Sequence, residues 1–240
     1  MSNDSSKLTR QERKSAIIGM VLGDGSLCRN RFRDGSYQGN AKISIAHSTK
    51  QREYLEYKKN ILQPMFGYEL KITNMMNGAG NGKKYPVCRL ATRVNTQLTN
   101  LYKMLYNPET GKKHVNREIL EMLDDRAMAI WYMDDGCLSL PKDRGKIVIL
   151  CTNSFTLEEN ETIREWLYDR YNVWFNINEH KKSGTYNLRR GISDSHKLLD
   201  AISPFVVPIL KYKVEYPPPK YKNGWYNLSC KAPGPCCDTG

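Results

Sequence analysis

The spacing of apolar residues changes several times along the chain, and the same order of changes occurs twice. Helical spacing gives way to stretches in which every second residue is apolar, as at Ala41, Ile43 and Ile45. These patterns predict the element order αββαββα in each half. The predicted helices cover residues 9–23, 50–65, 94–106, 116–123, 126–134, 156–171 and 194–202, and the predicted strands cover residues 26–33, 36–47, 68–73, 84–92, 137–140, 146–152, 173–179 and 185–191.

Local signals support several of these boundaries. Thr9 and Glu12 have the spacing of a capping box at the start of the first helix. Asp34-Gly35 is a strong hairpin dipeptide between the first two strands. Asn77–Gly82 is rich in Gly and Asn and predicts a flexible loop between the next two. Asp124 is a candidate N-cap for the helix that begins the second half.

The two halves are similar at particular positions. Residues 43–49 precede one middle helix much as residues 148–154 precede the other. We therefore predict an α+β fold of tandem pseudo-twofold αββαββα repeats, with two saddle-like antiparallel sheets on a central helix pair. The first half covers residues 9–115, the second covers 116–216, and residues 217–240 form an extension of unassigned role. A chance similarity of two α+β stretches is the alternative.

Two apolar helices are expected to end on the same dipeptide, Asp24-Gly25 and Asp135-Gly136. Gly is a common helix stop, but a carboxylate is disfavoured at the negative end of a helix dipole. A lone Asp-Gly would indicate only an exposed helix end. Two of them in a duplicated chain favour a cation shared between the carboxylates, and oxygen ligands suit Mg²⁺. Metals flanked by carboxylates can activate water for phosphodiester cleavage.

Lysines occur at corresponding late positions in the two halves, Lys113 and Lys213. Each could polarise the attacking water or neutralise the charge that develops on phosphate during cleavage. An ordinary surface or phosphate contact is the alternative for each lysine. The four histidines are too scattered for a metal cluster, and only His114 is close in sequence to a proposed site residue.

Composition identifies the expected partner. The formal charge is +12, from 37 basic and 25 acidic side chains, and such a basic chain attracts polyanions. The longest apolar run, residues 16–23, is too short to span a bilayer, so we expect no membrane partner. The first residues lack a signal-peptide pattern, and the seven cysteines contain no Cys-x-x-Cys pair. We therefore expect an intracellular protein, in the cytoplasm or in an organelle with its own genes.

The motifs resemble those of a known family. Gly23-Asp24-Gly25, together with Tyr132–Gly136 and the following Ser154–Glu159, is similar to the LAGLIDADG homing endonucleases of the single-chain type with two motif copies. The resemblance extends from about residue 11 to residue 217. It departs from the family pattern in two respects. Neither copy spells the family motif literally, although both keep the terminal Asp and Gly, and Gly19 and Gly23 correspond to Ile130 and Asp134 in the second helix, where Ala129 is the nearest small residue. We therefore expect asymmetric packing of the two helices.

The resemblance implies an activity and a site. It implies a monomer that cuts both strands of a long double-stranded DNA target across the minor groove and leaves 3′ overhangs. It implies Mg²⁺ as the cofactor, with Mn²⁺ as a substitute. The implied catalytic residues are Asp24, Asp135, Lys113 and Lys213, and the implied metal site comprises Asp24, Asp135, Gly23 and Asp134.

Polar residues on the predicted strands are candidates for reading the DNA. Arg and Lys suit guanine edges and phosphates, whereas Asn and Gln suit adenine, and alternate residues of a strand lie on one face. A solvated strand face is the alternative at each position. The candidates are Arg29, Arg31, Arg33, Gln38, Asn40, Lys42, Arg89 and Arg93 in the first half, and Lys142, Arg144, Lys146, Asn176, Asn187 and Arg189 in the second.

Two other functions are compatible with the same scaffold. The first is an RNA maturase that assists the splicing of its host intron RNA. The second is a DNA-binding regulator without catalysis, for which Mg²⁺ would change neither DNA affinity nor DNA integrity.

Overall fold

The computed structural model of the protein describes residues 7–31, 37–78, 83–139 and 146–215. It confirms the predicted α+β class: two four-stranded antiparallel sheets are joined by helices. The predicted extension over residues 217–240 lies outside the described residues. Among those described, no helix is both long and apolar enough to cross a membrane.

Each half contributes one sheet and its helices. The first half contains α1 (Arg10–Leu22), β1 (Ser26–Arg31), β2 (Tyr37–Ser48), α2 (Arg52–Leu62), β3 (Ile72–Gly78), β4 (Lys84–Ala91) and α3 (Thr96–Leu105). The short α4 (Arg117–Glu121) leads into the second half, which contains α5 (Asp125–Asp135), β5 (Gly136–Ser139), β6 (Ile147–Leu150), α6 (Leu157–Tyr171), β7 (Asn176–His180), β8 (Thr185–Gly191) and α7 (Ile192–Ile202).

The two sheets share one topology and one register. Their strand orders are β1-β2-β4-β3 and β5-β6-β8-β7. Ser26 pairs with Ser44 in the first sheet, and Cys137 pairs with Ile149 in the second. Residues 26 and 137 are 111 apart, and residues 44 and 149 are 105 apart. These are the same separations that relate the two Asp-Gly dipeptides and the two middle-helix segments in the sequence, so the repeat is present in the strand pairing.

A pair of buried helices, α1 and α5, joins the halves. The side chains of α1 from Ser15 to Leu22 and those of α5 from Ala127 to Met133 are buried. The backbones approach closely at Gly19, where a Cβ atom would lie 2.3 Å from the carbonyl oxygen of Ala127. The backbone that meets Gly19 is that of Ala127, which corresponds to Ala16 of α1 at the separation of 111 residues. Only glycine fits at this crossing.

The predicted caps at the starts of these helices are present. Thr9 and Glu12 form a capping box at α1, in which the Thr9 side chain accepts from the Glu12 N–H and the Glu12 carboxylate accepts from the Thr9 N–H. The Asp124 carboxylate accepts from the N–H of Ala127 at 2.8 Å at the start of α5. Both helices therefore begin where the sequence predicts.

The strand β3 differs from its prediction. We expected it over residues 68–73, but it runs from Ile72 to Gly78, into the segment predicted as a flexible loop. It is the outer strand of its sheet, and all its residues after Ile72 are exposed. An outer strand that is exposed on both faces carries no alternation of apolar and polar residues, which is why the pattern did not locate it.

Candidate active site at the paired helix ends

The two predicted acids lie at the adjacent ends of α1 and α5. Asp24 directly follows the residue that caps α1, and Asp135 is the last residue of α5. The Asp24 N–H donates to the Asp134 carboxylate at 3.1 Å, which links the two ends directly. A Cβ atom at Gly23 would lie 2.4 Å from Oδ2 of Asp134, so the glycine allows this approach.

The two predicted lysines also reach the helix ends. Lys113 Nζ donates to the carbonyl oxygen of Gly23 at 2.8 Å. Lys213 Nζ donates to the carbonyl oxygen of Met133 at 2.6 Å and lies 3.4 Å from that of Asp134. Each ammonium thus meets the negative end of the helix in its own half, where a cation is favourable. The structure therefore gathers Asp24, Asp135, Lys113 and Lys213 at one place.

Burial and mutual repulsion disturb the titration of the acids. Burial and then the charge of Asp134 raise the pKa of Asp24 to about 6, although its side chain keeps 45% of its surface exposed. Burial, followed by the charges of Asp134 and Asp24, raises the pKa of Asp135 to about 8. Burial also lowers the pKa of Lys113 and that of Lys213. An added cation would stabilise these acids in their ionised form.

A buried lysine that the sequence analysis did not select lies behind the acids. Lys58, on α2, has a fully buried side chain whose Nζ donates to both carboxylate oxygens of Asp134, at 2.7 and 2.8 Å. The same Nζ lies 3.0 Å from Nε2 of His47. A signal was present in the sequence, because Lys58 lies on the apolar side of its helix with Tyr54, Leu55, Ile61 and Leu62.

His47 corrects the expectation that no histidine other than His114 lies near the site. Its Nδ1 is 3.5 Å from Oδ2 of Asp24, and its Nε2 is 3.9 Å from Oδ1 of Asp134. Burial and then the charge of Lys58 lower the pKa of His47 to about 3. The imidazole is therefore neutral at physiological pH, and the acids meet its ring edges and not a cation.

The carboxylate oxygens of Asp24 and Asp135 are suitable ligands for a hard divalent cation. Ligand atoms of Asp24, His47 and Asp134 lie within 4.8 Å of one another, an arrangement that could also hold a metal. However, the Lys58 ammonium already occupies that cluster, with both Asp134 oxygens bonded to it. A cation would have to displace a buried charge pair there. The two acids at the helix ends, with raised pKa values, suit an added cation better.

The outer face of the first sheet carries part of the predicted DNA-binding set. Lys42 and Arg89 are exposed on this face, and Arg89 Nε donates to Oγ of Ser44 at 2.9 Å. Asn40 and Arg93 are also exposed, but each has a local partner. The Asn40 carbonyl accepts from Thr99, and the Arg93 guanidinium lies 4.5 Å from the ring centre of Tyr68.

Arg29 lies on the opposite face of β1 from the one we expected. The register between β1 and β2 shifts between Cys28 and Asn30, and these two residues are exposed while Arg29 is half-buried. Arg29 Nε donates to the carbonyl oxygen of Gly39 at 3.0 Å, and its guanidinium is 5.8 Å from the ring centre of Tyr102. Arg29 thus shares the inner face of β1 with the buried Leu27, where regular alternation of exposed and buried residues places it.

In the second sheet, one candidate is covered by its neighbours. Asn176 is exposed and pairs with Arg189 across the strands. Asn187 is on the same face but only 4% exposed, since its amide contacts Nε2 of His180 at 2.8 Å and accepts from Arg189 at 3.1 Å. Asn187 therefore orients Arg189 and does not itself present a free amide.

The remaining candidates are less completely placed. Lys146 is half-buried immediately before β6. Arg31 and Gln38 lie in β1 and β2, and only their backbone is described. Arg33, Lys142 and Arg144 lie outside the described residues.

The family profile of the LAGLIDADG DNA endonucleases matches residues 14–198. This match covers most of the chain, and the chain belongs to that family. The computed structure is similar to the solved structure of the homing endonuclease I-WcaI bound to its DNA recognition sequence, with a TM-score of 0.72 and 18% identity over 90% of this chain and 91% of that one. That likeness confirms the fold.

Curated relatives carry several names. The chain is 26% identical to a protein named RecA from Mycolicibacterium flavescens, over 89% of this chain and 48% of that protein. It is 27% identical to the cytochrome b mRNA maturase bI2 of Debaryomyces hansenii, over 85% and 74% respectively. It is 26% identical to the DNA endonuclease I-ChuI of Chlamydomonas applanata, over 85% and 94%. The chain thus spans about half the length of the RecA proteins that it matches.

Proposed function

We propose that this protein is a site-specific, metal-dependent DNA endonuclease that hydrolyses one phosphodiester in each strand of a long duplex target. The cuts lie across the minor groove and leave 3′ overhangs. It acts inside the cell as a monomer, since one chain supplies both halves of the site. The observation that carries this proposal is the meeting of two helix ends, with Asp24 directly after the cap of α1 and Asp135 at the end of α5, and with a lysine on the terminal carbonyls of each helix.

Asp24 and Asp135 would hold Mg²⁺, or Mn²⁺ in its place, because their oxygens suit hard cations and their raised pKa values favour an added positive charge. Held by these two carboxylates, such an ion would supply activation of water and stabilisation of the leaving oxygen of a phosphodiester.

The lysines have a separate role in this proposal. Lys113 and Lys213 are each anchored to a helix-end carbonyl and partly desolvated, which places a preorganised ammonium beside the acids. Such a group stabilises negative charge as it develops on the phosphate. Its lowered pKa also makes a proton at Nζ easier to transfer to the leaving oxygen.

The two sheets supply the DNA contacts. The exposed basic residues Lys42 and Arg89 in the first sheet, and Arg189 with Asn176 in the second, lie on the outer faces of equivalent sheets. We propose that each sheet contacts one half of the target. Alternate residues on a strand are about 6.6 Å apart, a spacing that can follow a groove.

The test begins with selection of a target from a randomised duplex library in Mg²⁺, with Ca²⁺ as a binding-only condition. We then expect Asp24→Asn and Asp135→Asn each to slow cleavage by at least about 100-fold and to retain binding in Ca²⁺. Sequencing of both product ends should show 3′ overhangs. Asp169→Asn is the matched control, because this exposed acid pairs with Arg117 on the surface. Cleavage by both site variants at the parental rate would refute the assignment.

A maturase is the second candidate, favoured by the similarity to a cytochrome b mRNA maturase. Splicing needs RNA binding but not the paired acids. A variant carrying both Asp24→Asn and Asp135→Asn that promotes splicing of an intron RNA, when the parent cuts no selected duplex, would establish this function instead. If the protein binds DNA but does not cut it, and Mg²⁺ does not change its DNA affinity, the protein would be a DNA-binding regulator.

A further inference from the structure

The buried charge cluster around Lys58 joins the first half, through Lys58 and His47, to Asp134 of the second half, and it occurs at only one of the two positions that the repeat relates. Lys58 Nζ bonds to Asp134 and to His47, and it lies 4.4 Å from the ring centre of Tyr54. The Lys58 and Asp134 side chains are both fully buried. Burying two charges costs free energy that their attraction offsets only when the geometry is good. A lysine at such a place therefore needs a reason beyond packing.

The pseudo-twofold repeat shows that the fold does not require this cluster. At the separation of 105 residues, Lys58 corresponds to Ile163 and His47 to Thr152, and both Lys58 and Ile163 are fully buried. At the separation of 111 residues, Asp134 corresponds to Gly23. The related position thus builds the same elements with an apolar side chain and a hydroxyl from the second half and a glycine from the first.

The cluster contacts Asp24, one of the two acids that we propose bind the metal. Asp134 accepts the backbone N–H of Asp24 at 3.1 Å, and His47 Nδ1 lies 3.5 Å from the Asp24 carboxylate. Since the Lys58 ammonium can only donate, Nε2 of His47 must accept from it. The ring proton of the neutral imidazole is then on Nδ1, facing Asp24.

We propose that Lys58 is a positioning residue that holds Asp134 and His47 against Asp24, and that the two DNA strands are consequently cut with unequal dependence on this cluster. The backbone of Asp24 is fixed through Asp134, and its carboxylate is fixed through His47. At the Asp135 end, the corresponding residues are Ile163, Thr152 and Gly23, and the Thr152 hydroxyl bonds to Asn160 within its own half. This inference rests on the proposed endonuclease function.

The first experiment measures the nicking rate of each strand on a selected duplex whose strands carry different 5′ fluorophores. Outer-shell partners of metal ligands typically contribute about 10–100-fold to activity. We expect Lys58→Met to slow one strand by about 10–100-fold and the other by less than about threefold. Lys59→Met is the matched control, because the neighbouring Lys59 pairs with Glu56 on the surface; it should leave both rates unchanged.

A second variant covers the case in which Lys58→Met does not fold. His47→Thr, Lys58→Ile and Asp134→Gly combined replace each member of the cluster by its repeat counterpart, Thr152, Ile163 and Gly23, with no buried charge left unpaired. We expect this variant to fold, to bind the duplex in Ca²⁺, and to show the same selective loss on one strand. Equal slowing of the two strands in either folded variant, or no slowing, would overturn the inference.

A spectroscopic readout separates this inference from the proposed function. In metal-free protein without DNA, ¹⁵N resonances of His47 should show a protonated Nδ1 and an unprotonated Nε2, and the triple variant identifies the signals by their loss. A proton found on Nε2 would overturn the positioning role even if the parent cuts DNA. The expected tautomer in a parent that cuts no selected duplex would support the positioning of Asp24 and refute only the endonuclease function.

Discussion

Substitution of Gly19 by alanine tests whether helix contact controls the site. The new Cβ would lie 2.3 Å from the Ala127 carbonyl oxygen, whereas ordinary contacts begin at 3.4 Å, so the helices must separate locally by about 1 Å. The obstacle is backbone, and no side-chain rotation can relieve it. Alanine gains about 1 kcal/mol of helix propensity over glycine, but overpacking of a core typically costs about 1–3 kcal/mol.

We expect the steric cost to dominate, with a net loss of up to about 2 kcal/mol and a fall in Tm of roughly 2–4 °C per kcal/mol for a chain of this size. Activity should fall further, because an error of about 1 Å in a catalytic group can cost about 100-fold in rate. Thermal unfolding and duplex nicking measure the two effects. Gly67→Ala is the control, since a Cβ there meets open space. A Gly19→Ala protein with parental Tm and nicking rate would refute this packing argument.

Three further predictions concern charge. Folding raises the pKa of Asp135 to about 8, so the contribution of Asp135 to the free energy of unfolding decreases as pH rises from about 4 to about 8. In urea titrations of the metal-free protein, Asp135→Asn should therefore be more stabilising at pH 8 than at pH 5. Equal effects at the two pH values would contradict this. Lys58→Met should cost about 3–5 kcal/mol by leaving Asp134 unpaired, whereas adding Asp134→Leu should restore most of the loss, as measured by chemical unfolding. If Lys42 contacts a phosphate, Lys42→Ala should lower the slope of log K for DNA binding against log salt concentration by about 1. Lys197 on α7 is also exposed, and Lys197→Ala should leave the slope unchanged. Equal slopes for the two variants would show that Lys42 makes no contact with DNA phosphate.

Much of the fold was predictable because the same order of helices and strands occurs twice along the chain. The capping box at Thr9, the cap at Asp124 and the alternation through Ile43 and Ile45 each predict an element that is present. The strand β3 was misplaced because its exposure on both faces removes the periodic signal. Local pattern thus locates elements that bury one face and fails for those that bury neither.

Candidate site residues could be selected from the sequence only where they lie next to a signal of secondary structure. Asp24 and Asp135 were selected because each is followed by a glycine, a residue typical of helix ends. Lys58 and His47 come from a different helix and strand, and only tertiary packing brings them to Asp24. The direction of Arg29 follows from alternation with the apolar Leu27, and the sequence analysis placed Arg29 on the wrong face because it grouped all the arginines of this strand together.

The crossing of Gly19 over Ala127 also sets a steric rule for recombining halves from different members of the family. A donor half that brings a larger residue than glycine to position 19 would push its partner away and tilt one sheet relative to the other. Chimeric enzymes built on this scaffold should therefore be chosen first by the size of the residues at this crossing and only afterwards by the sequences that their parents cut.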